Sequence, residues 1–118
     1  MEYTSELESL VETVIQEGAS DLHLTAHSHP IIRVSGGLIP LVKRSVYTSD
    51  DIVGLLSHLV TPEKKDVFFE TQEMDFSYQY KDKVRFRGNA FFQQGKVSVA
   101  LRLIPRDIKT FDELILQV

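Results

Sequence analysis

Three arginines in the second half of the chain have the type and spacing expected of an anion-binding site. Arg85 and Arg87 are two residues apart in a stretch that alternates polar and apolar side chains, and Arg102 lies in a second such stretch. Residues two apart on a β-strand point to the same face of a sheet. We therefore predict that these side chains share one face and meet an anionic partner there.

The two stretches together, residues 84–105, are predicted to form a β-hairpin that turns at Gln94 and Gly95. A loop with an even number of residues centred there fixes the register of the two strands. In this register Arg87 lies directly opposite Arg102, and the other face of the hairpin is wholly apolar. The apolar pairs are Phe92 with Val97, Ala90 with Val99, Gly88 with Leu101 and Phe86 with Leu103.

Two arginines directly opposite each other on a sheet repel, at a cost of roughly 0.2 to 1 kcal/mol. An anionic partner explains Arg87 and Arg102 better than stability does. A solvated polar face is the ordinary alternative for any strand. A structural role is the other alternative: the arginines would be salt-bridge partners of Asp75 or Asp21, and their substitution would lower stability without a change in the activity of the full-length protein.

Charge is segregated along the chain. The 118 residues have a formal net charge of -4, but residues 81–106 include seven basic residues and one acidic residue. The acidic remainder argues against a general nucleic-acid-binding protein, whose whole surface is expected to be basic. The local positive charge favours one specific anion on the hairpin.

The composition fits one compact domain. With 118 residues, 42% of them hydrophobic, the chain can bury a core without disulfides or metals. It has no cysteine, its first residues are acidic rather than basic and then apolar, and no apolar run approaches the roughly 20 residues that span a bilayer. A cytoplasmic domain is expected.

Apolar periodicity predicts the element order α-β-β-α-α-β-β-β, an α+β fold with helices packed on one face of an antiparallel sheet. Gly36 and Gly37 allow either a curved second strand or a tight hairpin. The predicted elements are a helix from a capping box at Ser5 to a stop at Gly18, strands over 20–25 and 31–35, helices capped at Thr48 or Ser49 and at Thr61, a strand over 74–80, and the hairpin.

One cluster has metal-ligand chemistry. Asp21 and His23 would share a face of a strand, and His27 and His29 follow in a turn. Histidines in a Ser/Pro turn are commonly solvated, so we expect no metal site and expect Asp21 and His23 to make hydrogen bonds within the sheet. The chain also lacks a phosphate-binding P-loop motif, and no triad or carboxylate pair has a catalytic spacing. By itself the chain is not expected to be an enzyme.

Five short motifs occur in order along the chain: ASDLHL at 19–24, PIIRVSG at 30–36, DFS at 75–77, RFRGNAF at 85–91 and LRLIP at 101–105. In this order they resemble the N-terminal domain of the type IV pilus retraction ATPases, the twitching-motility proteins of the type II/IV secretion ATPase superfamily. The resemblance spans essentially the whole chain.

The resemblance implies a PAS-like domain in a homohexameric motor, packed against the RecA-like ATPase domains of the same and the neighbouring subunit. ATP would lie in the cleft between the two domains, with Mg²⁺ bound only in the full-length protein. Arg85 and Arg87 match the family's Arg-Phe-Arg, and Arg102 matches the arginine before its Ile-Pro, so these three would approach the nucleotide phosphates. The further partner would be the pilus inner-membrane machinery, at the inner face of the cytoplasmic membrane.

The resemblance divides the chain into a PAS-like domain, residues 1–106, and the start of a linker, residues 107–118, to an ATPase domain. Residues 110–116 begin like a helix and the chain then stops, as a chain cut at a domain boundary would. Two features depart from the family: Gly88 stands where a small apolar residue is usual, and the motor domain is missing. The first puts the rigidity of the hairpin in question, and the second removes catalysis from this chain.

Two other hypotheses compete with this one. The first is a free-standing PAS-like module that binds a small ligand or a partner protein. The second, a nucleic-acid-binding protein that stacks bases on Phe91, is disfavoured by the acidic remainder of the chain. Whether the parent motor would retract or extend a filament cannot be read from these residues.

Overall fold

Apolar residues at helical spacing form three helices, and alternating apolar residues form a six-stranded sheet. The computed structural model describes residues 2–82 and 84–104. The elements are α1 (Tyr3–Gln16), β1 (Asp21–Thr25), β2 (Ile31–Val34), β3 (Gly37–Pro40), α2 (Ser49–Leu56), α3 (Pro62–Thr71), β4 (Glu73–Tyr80), β5 (Val84–Gln93) and β6 (Lys96–Ile104).

The strands lie in the order β3-β2-β1-β6-β5-β4, and every neighbouring pair is antiparallel. One side of the sheet, here the inner face, packs into the core, which includes apolar residues of all three helices. The opposite side is here called the outer face. The predicted α+β fold is confirmed, and it is compatible with a PAS-like architecture. The inner-face residues that are at most 1% exposed are Leu22, Leu24, Ile32, Phe86, Ala90, Val99 and Leu101.

The first helix begins earlier than the sequence predicts. The side chain of Glu2 accepts a hydrogen bond from the backbone N–H of Thr4 at 2.7 Å, so α1 begins at Tyr3. The predicted capping box at Ser5 is therefore wrong, because the cap lies three residues upstream and carries a carboxylate. The predicted stop is confirmed, since Gly18 takes a positive φ of 67° just after the helix.

The caps of the other two helices are as predicted. Thr48 accepts from the backbone N–H of Asp51, and the Asp51 carboxylate accepts from the N–H of Thr48, which completes a capping box at α2. Thr61 caps α3, with Pro62 as its first residue.

Both tight turns use residues with positive φ. Ser35 (φ 51°) and Gly36 (φ 81°) join β2 to β3, so the tight hairpin is the correct alternative and adds one strand to the predicted order. Gln94 (φ 54°) and Gly95 (φ 79°) join β5 to β6. Two successive positive φ values define the type I′ turn that matches the twist of a hairpin.

The segment between β3 and α2 is fastened to α1. Tyr47 is fully buried, and its hydroxyl donates a hydrogen bond to the carboxylate of Glu6. Burial and this hydrogen bond raise the pKa of the Tyr47 phenol well above its usual range. Arg44 donates to the hydroxyls of Ser9 and Thr13 on the same helix, at 2.7 and 2.9 Å.

Some predictions fall beyond what the structure describes. The linker over 107–118 and the helix start at 110–116 lie outside the described residues, as does the last residue of the predicted hairpin. Within the described part of the chain, no helix is long and apolar enough to cross a lipid bilayer.

Candidate anion-binding groove

Four charged residues form one row across the outer face. The predicted register of β5 and β6 is confirmed, with Arg87 paired directly with Arg102. On the other side of β6, Arg102 pairs with Asp21 of β1. Asp21 in turn pairs with Arg33 of β2. Reading across the sheet, this charged row is Arg33, Asp21, Arg102 and Arg87.

Asp21 is a buried carboxylate that binds Arg102. The Asp21 side chain is 8% exposed, and its Oδ2 accepts a hydrogen bond from Arg102 Nε at 3.2 Å. Its Oδ1 accepts from the Ser20 hydroxyl at 2.6 Å. The alternative in which an arginine pairs with Asp21 is therefore correct for Arg102, because strand β1 brings this acidic side chain against it.

The hydrogen bonds to Asp21 keep it ionised. Burial of the carboxyl by itself favours the neutral acid, but the hydrogen bonds from Ser20 and Arg102, together with the positive charge of Arg102, hold the pKa of Asp21 below its ordinary value of 3.8. At neutral pH, the charged row therefore consists of three cations and one anion.

The other two arginines of the predicted site differ from Arg102. Arg87 is exposed and makes no hydrogen bond or ion pair with any residue that the structure describes. Arg85 lies on the same face one row along, and its guanidinium donates to Gln79 Oε1 at 3.4 Å. Arg87 is thus the member of the three that has no hydrogen-bond or ion-pair partner among the described residues.

A groove of about 290 Å³ runs along the outer face beside the charged row. Its lining includes two small residues, Ala100 and Gly88. Arg85 does not line it. Asn89 donates to Asp75 Oδ1 at 2.9 Å, so this second carboxylate is also held by a neighbour. The polar and charged lining residues are Asp21, His23, Asp75, Arg87, Asn89 and Arg102.

This arrangement can bind an anion. Two guanidinium groups lie at one side of the groove, and each can donate paired N–H groups to a phosphate or carboxylate. Of the two lining carboxylates, Asp21 is buried and directed to Arg102, so it offers little repulsion to an anion that approaches from solvent.

The predicted metal-type cluster does not converge. His23 lines the groove, whereas His29 lies elsewhere with its Nδ1 at 2.8 Å from the backbone oxygen of Arg44. His27 sits in a turn with a φ of 64°. Within residues 2–82 and 84–104, no group of three or more His, Asp or Glu side chains is arranged to hold a metal ion. Asp21 makes hydrogen bonds to Arg102 within the sheet and to Ser20, as predicted. The predicted hydrogen bond of His23 is not found among the described residues.

Gly88, the position that departs from the family pattern, has a packing role. It pairs with Phe76 on β4, and a Cβ added at Gly88 would lie 2.2 Å from Cζ of the Phe76 ring. The ring therefore packs directly over the glycine backbone, where a larger residue would displace it. A glycine in a strand that is covered by a cross-strand aromatic ring need not loosen the hairpin.

Two type IV pilus ATPases are similar in sequence to this chain. No protein-family model matches the chain. The chain is 32% identical over 112 residues to the type IV pilus ATPase PilU of Pseudomonas aeruginosa, which covers 92% of this chain. It is 36% identical over 104 residues to the type IV pilus retraction ATPase PilT of the same organism, which covers 84% of this chain. This domain is homologous to the N-terminal region of PilT and PilU.

Solved structures agree with this assignment. The crystal structure of the pilus retraction motor PilT with bound ADP superposes with a TM-score of 0.80 at 32% identity, over 91% of this chain and 31% of that one. The Legionella pneumophila ATPase DotB, at 19% identity and a TM-score of 0.73 over 86% of this chain, has the same fold. The resemblance to the pilus retraction ATPases is confirmed, and the chain spans 28% of the length of PilU and of PilT.

Residue spacing alone locates part of the groove. It places Arg87 opposite Arg102 and on one face with Arg85, but it gives Ser20, Arg33 and Asn89 no part in the site. Asp21 was recognisable as an outer-face residue from strand alternation. The pairing of β1 with β6, which brings it to Arg102, has no local signal in the sequence. That the arginines bind a nucleotide stays a prediction.

Proposed function

We propose that this chain is the N-terminal domain of a hexameric motor ATPase of the pilus-retraction type. In this proposal, residues 1–106 form the domain and residues 107–118 lead into a RecA-like ATPase domain. ATP lies between this domain and an ATPase domain of the same or a neighbouring subunit. Homology to PilT and PilU, and the fold shared with ADP-bound PilT, support the proposal.

The observation that carries the proposal is the state of Arg87. This cation lies directly opposite another arginine on an open sheet face, and no described residue neutralises it. A sheet position of that kind is unfavourable for the isolated domain. An anion brought by a partner domain removes the repulsion, and ATP phosphates fit both the charge and the two-guanidinium geometry.

Arg85, Arg87 and Arg102 have a defined part in this mechanism. In the full-length motor, Arg87 and Arg102 would lie against the phosphates, with Arg85 next to them on the same face. Their positive charge would offset the negative charge that grows on the phosphates during phosphoryl transfer. Mg²⁺ and the P-loop belong to the ATPase domain, so this chain by itself has no catalytic residue. The motor would work in the cytoplasm, against pilus machinery at the inner face of the cytoplasmic membrane.

The test uses the full-length protein encoded by the gene. The reading frame is expected to continue past Val118 into an ATPase domain with a P-loop. In that protein, Arg87→Gln should lower ATP turnover by roughly tenfold or more, because the charge acts mainly in the transition state.

Lys96→Gln is the matched control, since Lys96 is an exposed cation on β6 that does not line the groove. Turnover that is unchanged in Arg87→Gln, or equally reduced in Lys96→Gln, would contradict the proposal. A gene that stops at Val118 would favour the alternative, a free-standing module that binds a small ligand or a partner protein.

A further inference from the structure

Asp21 stands out among the residues around the groove, because it is an acidic group beside a site proposed to bind an anion. It is also held more firmly than any other group in the charged row, with both carboxylate oxygens hydrogen-bonded. We propose that Asp21 is a positioning residue, which fixes Arg102 so that its terminal guanidinium nitrogens are presented to a phosphate group in the groove. This inference rests on the proposed function of the groove.

The hydrogen-bond pattern supports this role. Asp21 engages Arg102 through Nε, and the terminal nitrogens of Arg102 bind no residue that the structure describes. The Arg102 side chain is 72% exposed, whereas that of Asp21 is 8% exposed. A guanidinium has five N–H donors in one plane, so a carboxylate at Nε leaves the outer donors free for a second, bidentate anion.

The carboxylate itself is rigidly placed. Ser20 donates to its Oδ1 at 2.6 Å, and Asp21 lies within the β1–β2 and β1–β6 ladders. Its pKa is held below the ordinary value, so it remains a charged acceptor over the whole neutral range. Arg102 is therefore ordered before a ligand arrives, and the ligand does not have to immobilise a long side chain.

Arg87 provides the internal contrast. It faces the same groove without a partner among the described residues, so a ligand that binds it has to order it. Arg102 thus supplies a preformed half of the anion site, and Arg87 supplies a half that forms on binding.

For the substitution Asp21→Asn, a positioning role and a purely electrostatic role of Asp21 predict opposite changes in the affinity for an anion. Asp21→Asn removes a negative charge beside the groove, so electrostatics alone predicts tighter binding of an anion. If Asp21 positions Arg102, the same substitution weakens binding. Asp75→Asn gives the electrostatic reference, because Asp75 also lines the groove and is held by Asn89 rather than by an arginine.

The experiment titrates inorganic triphosphate into the 118-residue chain and follows the arginine Nε–Hε signals by nitrogen-15 NMR. Asp21→Asn should weaken binding at least threefold and should shift and broaden the Arg102 Nε–Hε signal of the ligand-free protein. Asp75→Asn should bind more tightly than the wild type. Ser20→Ala, which frees one oxygen of Asp21 without a change in charge, should weaken binding in the same direction as Asp21→Asn.

The possible results distinguish failure of the positioning role of Asp21 from failure of the proposed anion site. If Asp21→Asn binds triphosphate as tightly as the wild type or more tightly, the positioning role is overturned and the anion site stands. An equal loss on Asp21→Asn in an Arg102→Gln background would also overturn it, because Asp21 would then act without Arg102. If the wild type binds no more tightly than the Arg87→Gln, Arg102→Gln double variant, the anion site and the positioning role both fail.

Discussion

The two faces of the β5–β6 hairpin use alternate residues of the same strands and meet different requirements. On the inner face Phe86, Ala90 and Leu101 are at most 1% exposed, and their contacts are all inside the domain. On the outer face Arg87 and Arg102 are exposed, and only Arg102 has a charged partner among the described residues. Stability and binding are therefore separable along one strand, and substitutions on the two faces should behave differently.

The largest effect is expected on the inner face, at Gly88. Gly88→Val should destabilise the domain by about 2 to 3 kcal/mol, because its side chain would occupy the space of the Phe76 ring. Thermal unfolding of the 118-residue chain should show a melting temperature lower by roughly 10 °C.

Gly37→Val is the matched control for this substitution. Gly37 also lies in a strand, but a Cβ there meets only an ordinary contact, 3.6 Å from the backbone oxygen of Val34. Its melting temperature should change little. Equal effects of the two substitutions would show that the Phe76 ring is not packed over Gly88.

A smaller effect is expected for Asp21, and it should depend on pH. At pH 7 Asp21→Asn should lower the free energy of unfolding by about 1 kcal/mol, because an ionised acceptor is replaced by a neutral one. The pKa of Asp21 is lower in the folded protein than its ordinary value of 3.8, so its contribution is present above that value and is lost as the pH falls through the folded pKa.

Urea unfolding of wild type and Asp21→Asn from pH 7 to pH 2 measures this difference directly. The two curves of stability against pH should converge below pH 3.8. The charged or titratable groups that face Asp21 are Arg33 on β2, Arg102 on β6 and His23 on its own strand. A difference that stays constant down to pH 2 would mean that folding does not lower the pKa of Asp21.

The smallest effects separate the two arginines of the groove. Arg102→Gln should cost about 1 kcal/mol or less, since it removes an ion pair whose arginine is largely solvated. Arg87→Gln should leave stability unchanged or raise it by a few tenths of a kcal/mol, because only the repulsion between the two arginines is lost. Chemical denaturation of both variants in parallel measures these values, and a clear loss on Arg87→Gln would assign Arg87 a structural role.

Local patterns were enough to predict most elements and the hairpin register. The apolar alternation of β5 and β6, the turn at Gln94 and Gly95, and the caps Thr48 and Thr61 are all confirmed, because each depends on neighbours in the sequence. The start of α1 was missed since a glutamate is an uncommon cap and Ser5 offered a better-known pattern.

The features that could not be predicted depend on contacts between distant residues. Asp21 and Arg102 meet only because β1 pairs with β6, and Gly88 is explained only by the ring of Phe76 across the strand pair. The loop that carries Arg44 and Tyr47 has no periodic pattern, although both side chains bind α1. Such contacts depend on the order of the strands in the sheet, which cannot be inferred from the spacing of residues along the chain.

The position of β6 has a consequence for synthesis of the protein. Among the described strands, β6 is the one that joins β1, β2 and β3 to β4 and β5, and it is also the last to be made. A nascent chain that has not yet released β6 from the ribosome holds two unjoined groups of strands, each with an unpaired edge that can pair wrongly. The charged row on the outer face would then form in a single late event, when Lys96–Ile104 pairs with both β1 and β5 and completes the sheet.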